Sequence, residues 1–147
     1  MHMDNTNTDQ REHIIIHDFP GSIRVFSNGS VERFKGTDFV PTFIDQANGV
    51  SSKDIIIDPQ HNISACLFLP HLITHKLPLL LYFHGGAFCV SSPTTANYYN
   101  YITDVVAKSK VVAVSLNYSS LDTFSTFIRL APEHPIPAAY EDAWAAL

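Results

Sequence analysis

The sequence predicts an α/β layer architecture that begins with an antiparallel hairpin and continues into a parallel βαβ unit. Two apolar runs, residues 79–83 and 111–118, are hydrophobic on both faces, which is typical of central strands in a sheet covered on both sides. The segment between them, residues 95–109, has the periodicity of a helix. A strand, a helix and a strand at this spacing form a right-handed crossover between parallel strands.

The N-terminal third contains the hairpin. We expect residues 1–20 to be a flexible tail or lid segment, because the first 13 are polar and turn-forming, and residues 21–147 to form the domain. Residues 22–26 and 31–34 alternate in polarity around Asn28-Gly29, and an Asn-Gly pair in this setting is a strong hairpin signal. Residues 35–50 carry little periodicity and predict a long surface connection.

Further strands and the helices follow in order. Residues 54–58 and 64–69 are rich in Ile, Leu and Val and predict two more strands. One face of the helix at 95–109 is predicted from helical spacing, and its members are Tyr98, Tyr101, Ile102, Val105 and Val106.

A second helix is predicted to start at Pro137, which suits the first helical turn. We expect its apolar face to consist of Tyr140, Ala143, Trp144 and Leu147. No end signal follows, so the pattern predicts a chain that is cut short within an incomplete sheet.

The composition excludes several function classes. The 147 residues include 14 acidic and 9 scattered basic side chains, with a net charge of −5, which argues against a nucleic-acid partner. The longest apolar run is far shorter than the roughly 20 residues of a membrane-spanning helix. Residues 1–11 lack a secretory signal, so we expect a soluble, cytoplasmic protein without membrane attachment. Cys66 and Cys89 are interpreted as free thiols that pack in the interior.

A glycine-rich segment follows directly on the strand at 79–83. It consists of His84, Gly85, Gly86, Ala87 and Phe88. A chain that leaves a parallel strand at its carboxyl end reaches the crevice where α/β proteins bind ligands. Glycines there let backbone N–H groups face the crevice as an oxyanion hole, although a Gly-Gly pair alone is more often a simple tight turn.

A second segment distinguishes these alternatives. Residues 129–144 read RLAPEHPIPAAYEDAW. Together with the HGG segment, this block resembles the hormone-sensitive-lipase-like branch of the α/β-hydrolases, and within it the plant carboxylesterases, including 2-hydroxyisoflavanone dehydratase-like members. The resemblance runs from about Ile23 to Leu147 and implies the N-terminal part of an α/β-hydrolase fold, truncated before the nucleophile elbow.

The resemblance implies specific roles for the glycine-rich loop. The backbone N–H groups of Gly86 and Ala87 would be the oxyanion donors, while His84 and Gly85 shape the loop. Ala87 stands where many relatives have a third glycine, and its methyl group is accepted as long as φ stays negative. For His84 we favour a structural histidine that ties the loop down by a hydrogen bond over a catalytic base.

The catalytic triad has no counterpart in this sequence. In the family the nucleophile is a serine in a GxSxG elbow, followed by an acid and a histidine, and no GxSxG occurs here. Without a nucleophile and its base no tetrahedral intermediate forms, so we expect the chain to be inactive alone. No cofactor is implied.

Other chemistry-bearing residues are interpreted as structural. His71 and His75 lack a third ligand and the HExxH pattern, so no metal site is predicted. Arg129, Glu133, Glu141 and Asp142 are interpreted as a structural charge network. Cys89, which follows the glycine-rich segment, is interpreted as a packing residue.

Residues 119–128 depart from the family pattern. Related sequences continue from the strand tyrosine straight into the RLAP motif, whereas ten residues intervene here between Tyr118 and Arg129. We interpret them as an insertion, which indicates an alternatively spliced or mis-predicted gene product.

The resemblance leaves three functions open. The leading one is a carboxylesterase-type hydrolase of small acyl esters, with a small-molecule ester or phenolic substrate as its partner. The alternatives are a 2-hydroxyisoflavanone dehydratase-like lyase and a non-catalytic, gibberellin-type small-molecule receptor. The edge of the incomplete sheet, residues 79–83, also predicts poor solubility for the isolated chain.

Overall fold

The structure, a computed structural model, describes residues 14–42, 44–45, 48–60, 63–73, 75–117, 130–134, 136–145 and 147. The strands in this part of the chain are β1 Ile15–Phe19, β2 Ile23–Phe26, β3 Val31–Arg33, β4 Ile44–Asp45, β5 Val50–Asp58, β6 Ile63–Pro70, β7 Leu79–Tyr82 and β8 Val112–Asn117. The helices are α1 Ala96–Ser109 and α2 Pro137–Ala145. The predicted insertion at 119–128 lies outside the described residues.

The first three strands form a small antiparallel sheet in the order β1-β2-β3. The predicted hairpin is confirmed, with Gly29 at a φ of 84° and the Asn28 side chain accepting a hydrogen bond of 2.9 Å from the Ser30 amide. β1 was not predicted as a strand. It lies within the predicted tail or lid segment, residues 1–20, and is exposed along its whole length.

The remaining strands form a mixed sheet in the order β4-β5-β6-β8-β7. β7 and β8 are parallel and α1 connects them, which confirms the predicted βαβ unit. β6 pairs antiparallel with β8, so β8 is interior as predicted. β7 forms the edge of the described sheet, as expected for residues 79–83 when the sheet is incomplete, and leaves Leu79 69% exposed. An apolar strand sequence predicts burial but not which neighbour supplies it.

The core lies on both faces of the mixed sheet. Because side chains alternate along a strand, β6 sends Phe68 to one face and Ile63 to the other. The larger cluster lies under α1 and contains Val50, Cys66, Phe68, Tyr99, Ile102, Val106 and Ala113. The smaller cluster contains Ile63, Ala65 and Leu116.

Helix α1 covers this sheet with a different face from the predicted one. Its buried residues are Tyr99, Ile102, Thr103 and Val106. Tyr101 is instead exposed, and with Tyr98 it flanks the ring of Tyr82 at centroid distances of 6.0 and 6.5 Å. Two overlapping sets of residues fit the helical spacing, and the packing against β5, β6 and β8 selects the set rotated by one residue.

The predicted apolar face of α2 is also wrong. Ala138, Ala139 and Asp142 are the buried residues, whereas Tyr140, Trp144 and Leu147 are 64%, 79% and 83% exposed. The small side chains face inward, and no element in the described part of the chain covers the large ones. Neither described helix combines the length and the apolar character that crossing a bilayer requires.

The predicted connection at 35–50 runs from the hairpin to the mixed sheet and contains the short strand β4. It is fastened to the start of α1. Val40 N–H donates to the Thr94 carbonyl and Ala96 N–H donates to the Asp38 carbonyl, both at 2.8 Å. These contacts bring the N-terminal sheet to the side of the molecule where β7 ends.

Candidate functional site

The glycine-rich segment follows the carboxyl end of β7. The strand ends at Tyr82, and residues 84–88 leave the sheet and enter a tight turn before α1 begins at Ala96. In sheets with parallel strands this end is where ligands bind. The sequence-predicted loop is therefore at the edge of the sheet that such sites occupy.

The backbone of the turn is left-handed at three consecutive residues. Gly86, Ala87 and Phe88 have φ values of 125°, 53° and 60°. The Gly86 carbonyl closes the turn by accepting hydrogen bonds from the N–H groups of Cys89 and Val90, at 3.0 and 3.1 Å. The condition of a negative φ at Ala87 is thus not met: Ala87 has a φ of 53°, and the turn that closes on the Gly86 carbonyl has the left-handed sense.

The N–H groups of Gly86 and Ala87 lie outside the sheet ladder. Between described residues, neither group donates to a backbone carbonyl. Both residues border a cavity of about 680 Å³. The cavity is also lined by residues of the N-terminal sheet, of the connection at 35–50 and of the start of α1, among them Phe19, Ile23, Lys35, Asp38, Asn97 and Tyr98. Unpaired N–H donors that face a cavity can stabilise an anionic oxygen placed there.

His84 lies at the base of the loop. It is 7% exposed, its Nδ1 donates a hydrogen bond of 2.8 Å to the Gly85 carbonyl, and its ring lies 5.8 Å from that of Tyr98. Burial lowers the pKa of His84, and the hydrogen bond to the Gly85 carbonyl opposes that effect in part. The imidazole is therefore neutral near pH 7, and its Nδ1 hydrogen bond is to the next residue of the loop.

The RLAP segment meets the turn from the other side. Ala131 N–H donates to the Phe88 carbonyl at 2.8 Å, and Leu130 is 1% exposed. The rings of Phe88 and Tyr140 lie 5.9 Å apart. The two sequence motifs that carry the family resemblance are thus in direct contact.

The described residues show one ion pair that involves the predicted charge network. Glu133 pairs with Arg33 of β3, with hydrogen bonds of 2.9 and 2.7 Å, rather than with another residue of the RLAPEH block. Arg129 lies outside the described residues, Glu141 is exposed and Asp142 is buried. Burial raises the pKa of Glu133, but the hydrogen bond and charge of Arg33 outweigh it, so the pKa lies below its ordinary value.

Of the remaining histidines and cysteines singled out in the sequence, Cys89 borders the site and the others lie elsewhere. His71 and His75 lie on an exposed connection, and the described residues hold no group of three or more His, Cys, Asp or Glu side chains placed to bind a metal. Burial raises the pKa of the Cys66 thiol to about 12. Cys89 is half-buried beside the turn.

Comparison with known proteins supplies the family. Residues 80–147 match a family model described as alpha/beta hydrolase fold. The Arabidopsis thaliana protein named Probable carboxylesterase 4, mitochondrial, is 45% identical over 138 residues, which cover 90% of this chain and 34% of the relative. The 2-hydroxyisoflavanone dehydratase of Glycyrrhiza echinata is 46% identical over 136 residues, which cover 90% of this chain and 38% of the relative.

Solved structures of esterases share the fold of this chain. A hyperthermophilic esterase from the archaeon Pyrobaculum calidifontis superposes with a TM-score of 0.51 at 34% identity, over 65% of this chain and 26% of the esterase. The chain spans between 34% and 40% of the length of the first four curated relatives.

Proposed function

We propose that this chain, which belongs to the alpha/beta hydrolase fold family, contributes the oxyanion hole of a carboxylesterase-type hydrolase that acts on small acyl esters. The N–H groups of Gly86 and Ala87 would receive the carbonyl oxygen of the ester. As a nucleophile attacks, that oxygen gains negative charge, and fixed N–H dipoles stabilise it without having to reorient. His84 and Gly85 would keep the loop in shape, and no cofactor takes part.

One observation carries this proposal. The two N–H groups make no backbone hydrogen bond with another described residue, and both residues border the cavity beside the carboxyl end of β7. Unpaired N–H groups also occur in ordinary turns, so the support comes from the cavity beside them, where a developing oxyanion can meet donors that have no other partner.

The nucleophile motif of the family does not occur in this sequence. The 147 residues contain no GxSxG sequence, so the family's serine and its acid and histidine partners have no counterpart here. An oxyanion hole lowers the barrier only when a nucleophile forms the tetrahedral intermediate. We therefore expect the chain alone to hydrolyse no ester.

A graft tests the proposal. Residues 1–147 are joined, at the aligned position, to the remainder of the Arabidopsis relative, and hydrolysis of p-nitrophenyl butyrate is measured for the graft and for the chain alone. We expect turnover by the graft and none by the chain alone. A second graft that omits residues 119–128 measures whether the predicted insertion impairs the turn.

The graft also has a control for folding. A fluorophosphonate reacts with an activated serine, so labelling reports that the grafted protein has assembled its nucleophile. A graft that is labelled but hydrolyses no short-chain ester would contradict the proposed activity. Loss of labelling after replacement of the GxSxG serine by Ala confirms that the label reports the nucleophile.

A second candidate function is a lyase. The 46% identity to the Glycyrrhiza dehydratase favours it, because the same N–H groups could polarise a substrate carbonyl while water is lost. A graft that carries the remainder of that relative separates the two functions. Loss of water from a 2-hydroxyisoflavanone without ester hydrolysis would select the lyase.

The proposed location is the cytoplasm and the proposed ligand is a small ester or phenol, with no nucleic-acid or membrane partner. The Arabidopsis relative has "mitochondrial" in its name. A fluorescent protein fused to the C-terminus distinguishes the two compartments, and signal confined to an organelle would contradict our proposal.

A further inference from the structure

Arg33 connects the N-terminal sheet to the turn that carries the candidate donors. From β3, its Nε donates a hydrogen bond of 2.7 Å to the carbonyl of Cys89. The other two nitrogens bind Glu133 through both carboxylate oxygens, and Nη2 also donates to the Ala131 carbonyl at 3.3 Å. One side chain thus contacts two segments that lie 56 and about 100 residues away along the sequence.

Both carbonyls that Arg33 contacts belong to residues whose own N–H groups hydrogen-bond to the turn. Cys89, whose carbonyl receives Arg33, is also the residue whose N–H closes the turn on the Gly86 carbonyl at 3.0 Å. Ala131, the second carbonyl partner, is also the residue whose N–H binds the Phe88 carbonyl at 2.8 Å. The guanidinium therefore contacts the turn directly at Cys89, and it also contacts the neighbouring segment at Ala131, which hydrogen-bonds to the turn.

We infer that Arg33 is a positioning residue, which holds the turn at residues 86–89 in its left-handed conformation and thereby aims the N–H groups of Gly86 and Ala87 into the cavity. Left-handed conformations of non-glycine residues persist only where surrounding contacts enforce them, and Ala87 and Phe88 both need such contacts. The part of this inference that concerns the N–H groups of Gly86 and Ala87 as donors rests on the proposed function. The part that concerns the conformation of the turn does not depend on it.

The chemistry of the side chain explains why arginine stands here. Arginine has five N–H donors in a planar fork, so it can bind a carboxylate with two nitrogens and a carbonyl with a third. A lysine has the same charge but a single ammonium group, which cannot reach the Cys89 carbonyl and both Glu133 oxygens together. Arg33→Lys therefore removes the fork and keeps the charge.

The hairpin offers a matched control. Arg24 of β2 also forms ion pairs, and among the described residues its partners are Asp18 and Glu32 of the N-terminal sheet, at 3.1 and 3.8 Å. Arg24→Lys alters a comparable exposed pair in the same sheet without touching the turn. Any effect confined to Arg33→Lys is therefore due to the contacts with the turn and with residues 131 and 133.

Amide hydrogen exchange, followed by NMR on the full 147-residue chain, provides the test. In Arg33→Lys we expect the amides of Cys89, Val90 and Ala131 to exchange about 10-fold to 100-fold faster, as for the loss of a charge-assisted hydrogen bond. The amides of β6 and β8 should keep their rates, and Arg24→Lys should leave all of them unchanged. Unchanged rates in Arg33→Lys, or equal acceleration of every amide, would overturn the inference.

A measurement on the unaltered chain guards against a variant that does not fold. A hydrogen bond from Arg33 Nε to the Cys89 carbonyl produces a scalar coupling between the two groups, which NMR detects directly. Its presence supports the brace, and its absence contradicts it.

A titration separates this inference from the proposed function. Methylphosphonate serves as a tetrahedral anion, and the amide shifts of Gly86 and Ala87 are followed. We expect binding by the unaltered chain and an affinity at least about 3-fold weaker in Arg33→Lys, because fewer molecules hold the competent turn. If neither amide responds in the unaltered chain, the oxyanion role fails, while hydrogen exchange still decides the role of Arg33.

Discussion

Gly86→Ala is the substitution with the largest consequence that the structure predicts for the turn. Gly86 has a φ of 125°, which residues with a side chain rarely adopt, and a Cβ built there would lie 2.0 Å from the Val90 carbonyl oxygen. That oxygen belongs to the backbone, so the contact is relieved only by moving the turn. The substitution leaves both N–H groups chemically intact.

The magnitude follows from two contributions. A side chain in this region of φ costs about 1–3 kcal/mol. Moving the Val90 carbonyl away disturbs the hydrogen bond between Val90 N–H and the Gly86 carbonyl, now 3.1 Å, which contributes about 1 kcal/mol. We expect the free energy of unfolding to fall by about 3 kcal/mol and the melting temperature by roughly 10 °C.

Urea denaturation followed by far-UV circular dichroism measures the effect. Tryptophan fluorescence is a poor probe, since the single tryptophan, Trp144, is 79% exposed in the folded chain. Gly85→Ala is the matched control: its Cβ would meet only the hydroxyl end of Tyr98, at 2.8 Å, and Gly85 is not among the glycines with a positive φ. A Gly86→Ala chain as stable as the Gly85→Ala chain would refute the reasoning about the turn.

Four further outcomes are expected. Ala87→Gly should raise the free energy of unfolding by about 0.5–1 kcal/mol in the same assay, because relief of the left-handed strain exceeds the added entropy of the unfolded chain; a loss would contradict it. The pKa of Glu133 is lower in the folded chain than in the unfolded chain, so its pairing with Arg33 stabilises the fold at pH values above the unfolded pKa. This stabilisation is lost as the pH falls through the folded pKa. Glu133→Gln should therefore remove this dependence on acidic pH from the urea midpoints. Leu79→Lys should reduce concentration-dependent light scattering without lowering the melting temperature, since Leu79 is exposed on the edge strand, and unchanged scattering would count against that edge as the site of association. With its pKa raised to about 12, Cys66 should stay unreactive towards a thiol reagent at pH 8 until urea unfolds the chain, and rapid labelling of Cys66 in the folded chain would contradict its burial.

Local patterns predicted the elements that place the site. Helical spacing identified α1, continuous apolar runs identified β7 and β8, and an Asn-Gly pair identified the hairpin. These signals are contained in windows of a few residues. The position of the glycine-rich loop follows from them, because a loop after a parallel strand has only one edge of the sheet available.

Packing and long-range contacts could not be predicted in this way. The faces of α1 and α2 differ from the predicted ones because several apolar sets share helical spacing, and the neighbouring surface chooses between them. Arg33 and Glu133 lie 100 residues apart, so no sequence pattern links them. The left-handed φ of Ala87 runs against the preference of a residue with a side chain, so it could not be predicted from the local sequence.

The central claim concerns one backbone hydrogen, the N–H of Ala87. Replacing Ala87 by lactic acid changes its amide to an ester, which removes that hydrogen and retains the methyl group. In the graft with the Arabidopsis remainder, we predict that kcat for p-nitrophenyl butyrate falls about 100-fold to 1000-fold, as for loss of an oxyanion donor, with fluorophosphonate labelling still detectable. A kcat within 2-fold of the unaltered graft would contradict the account.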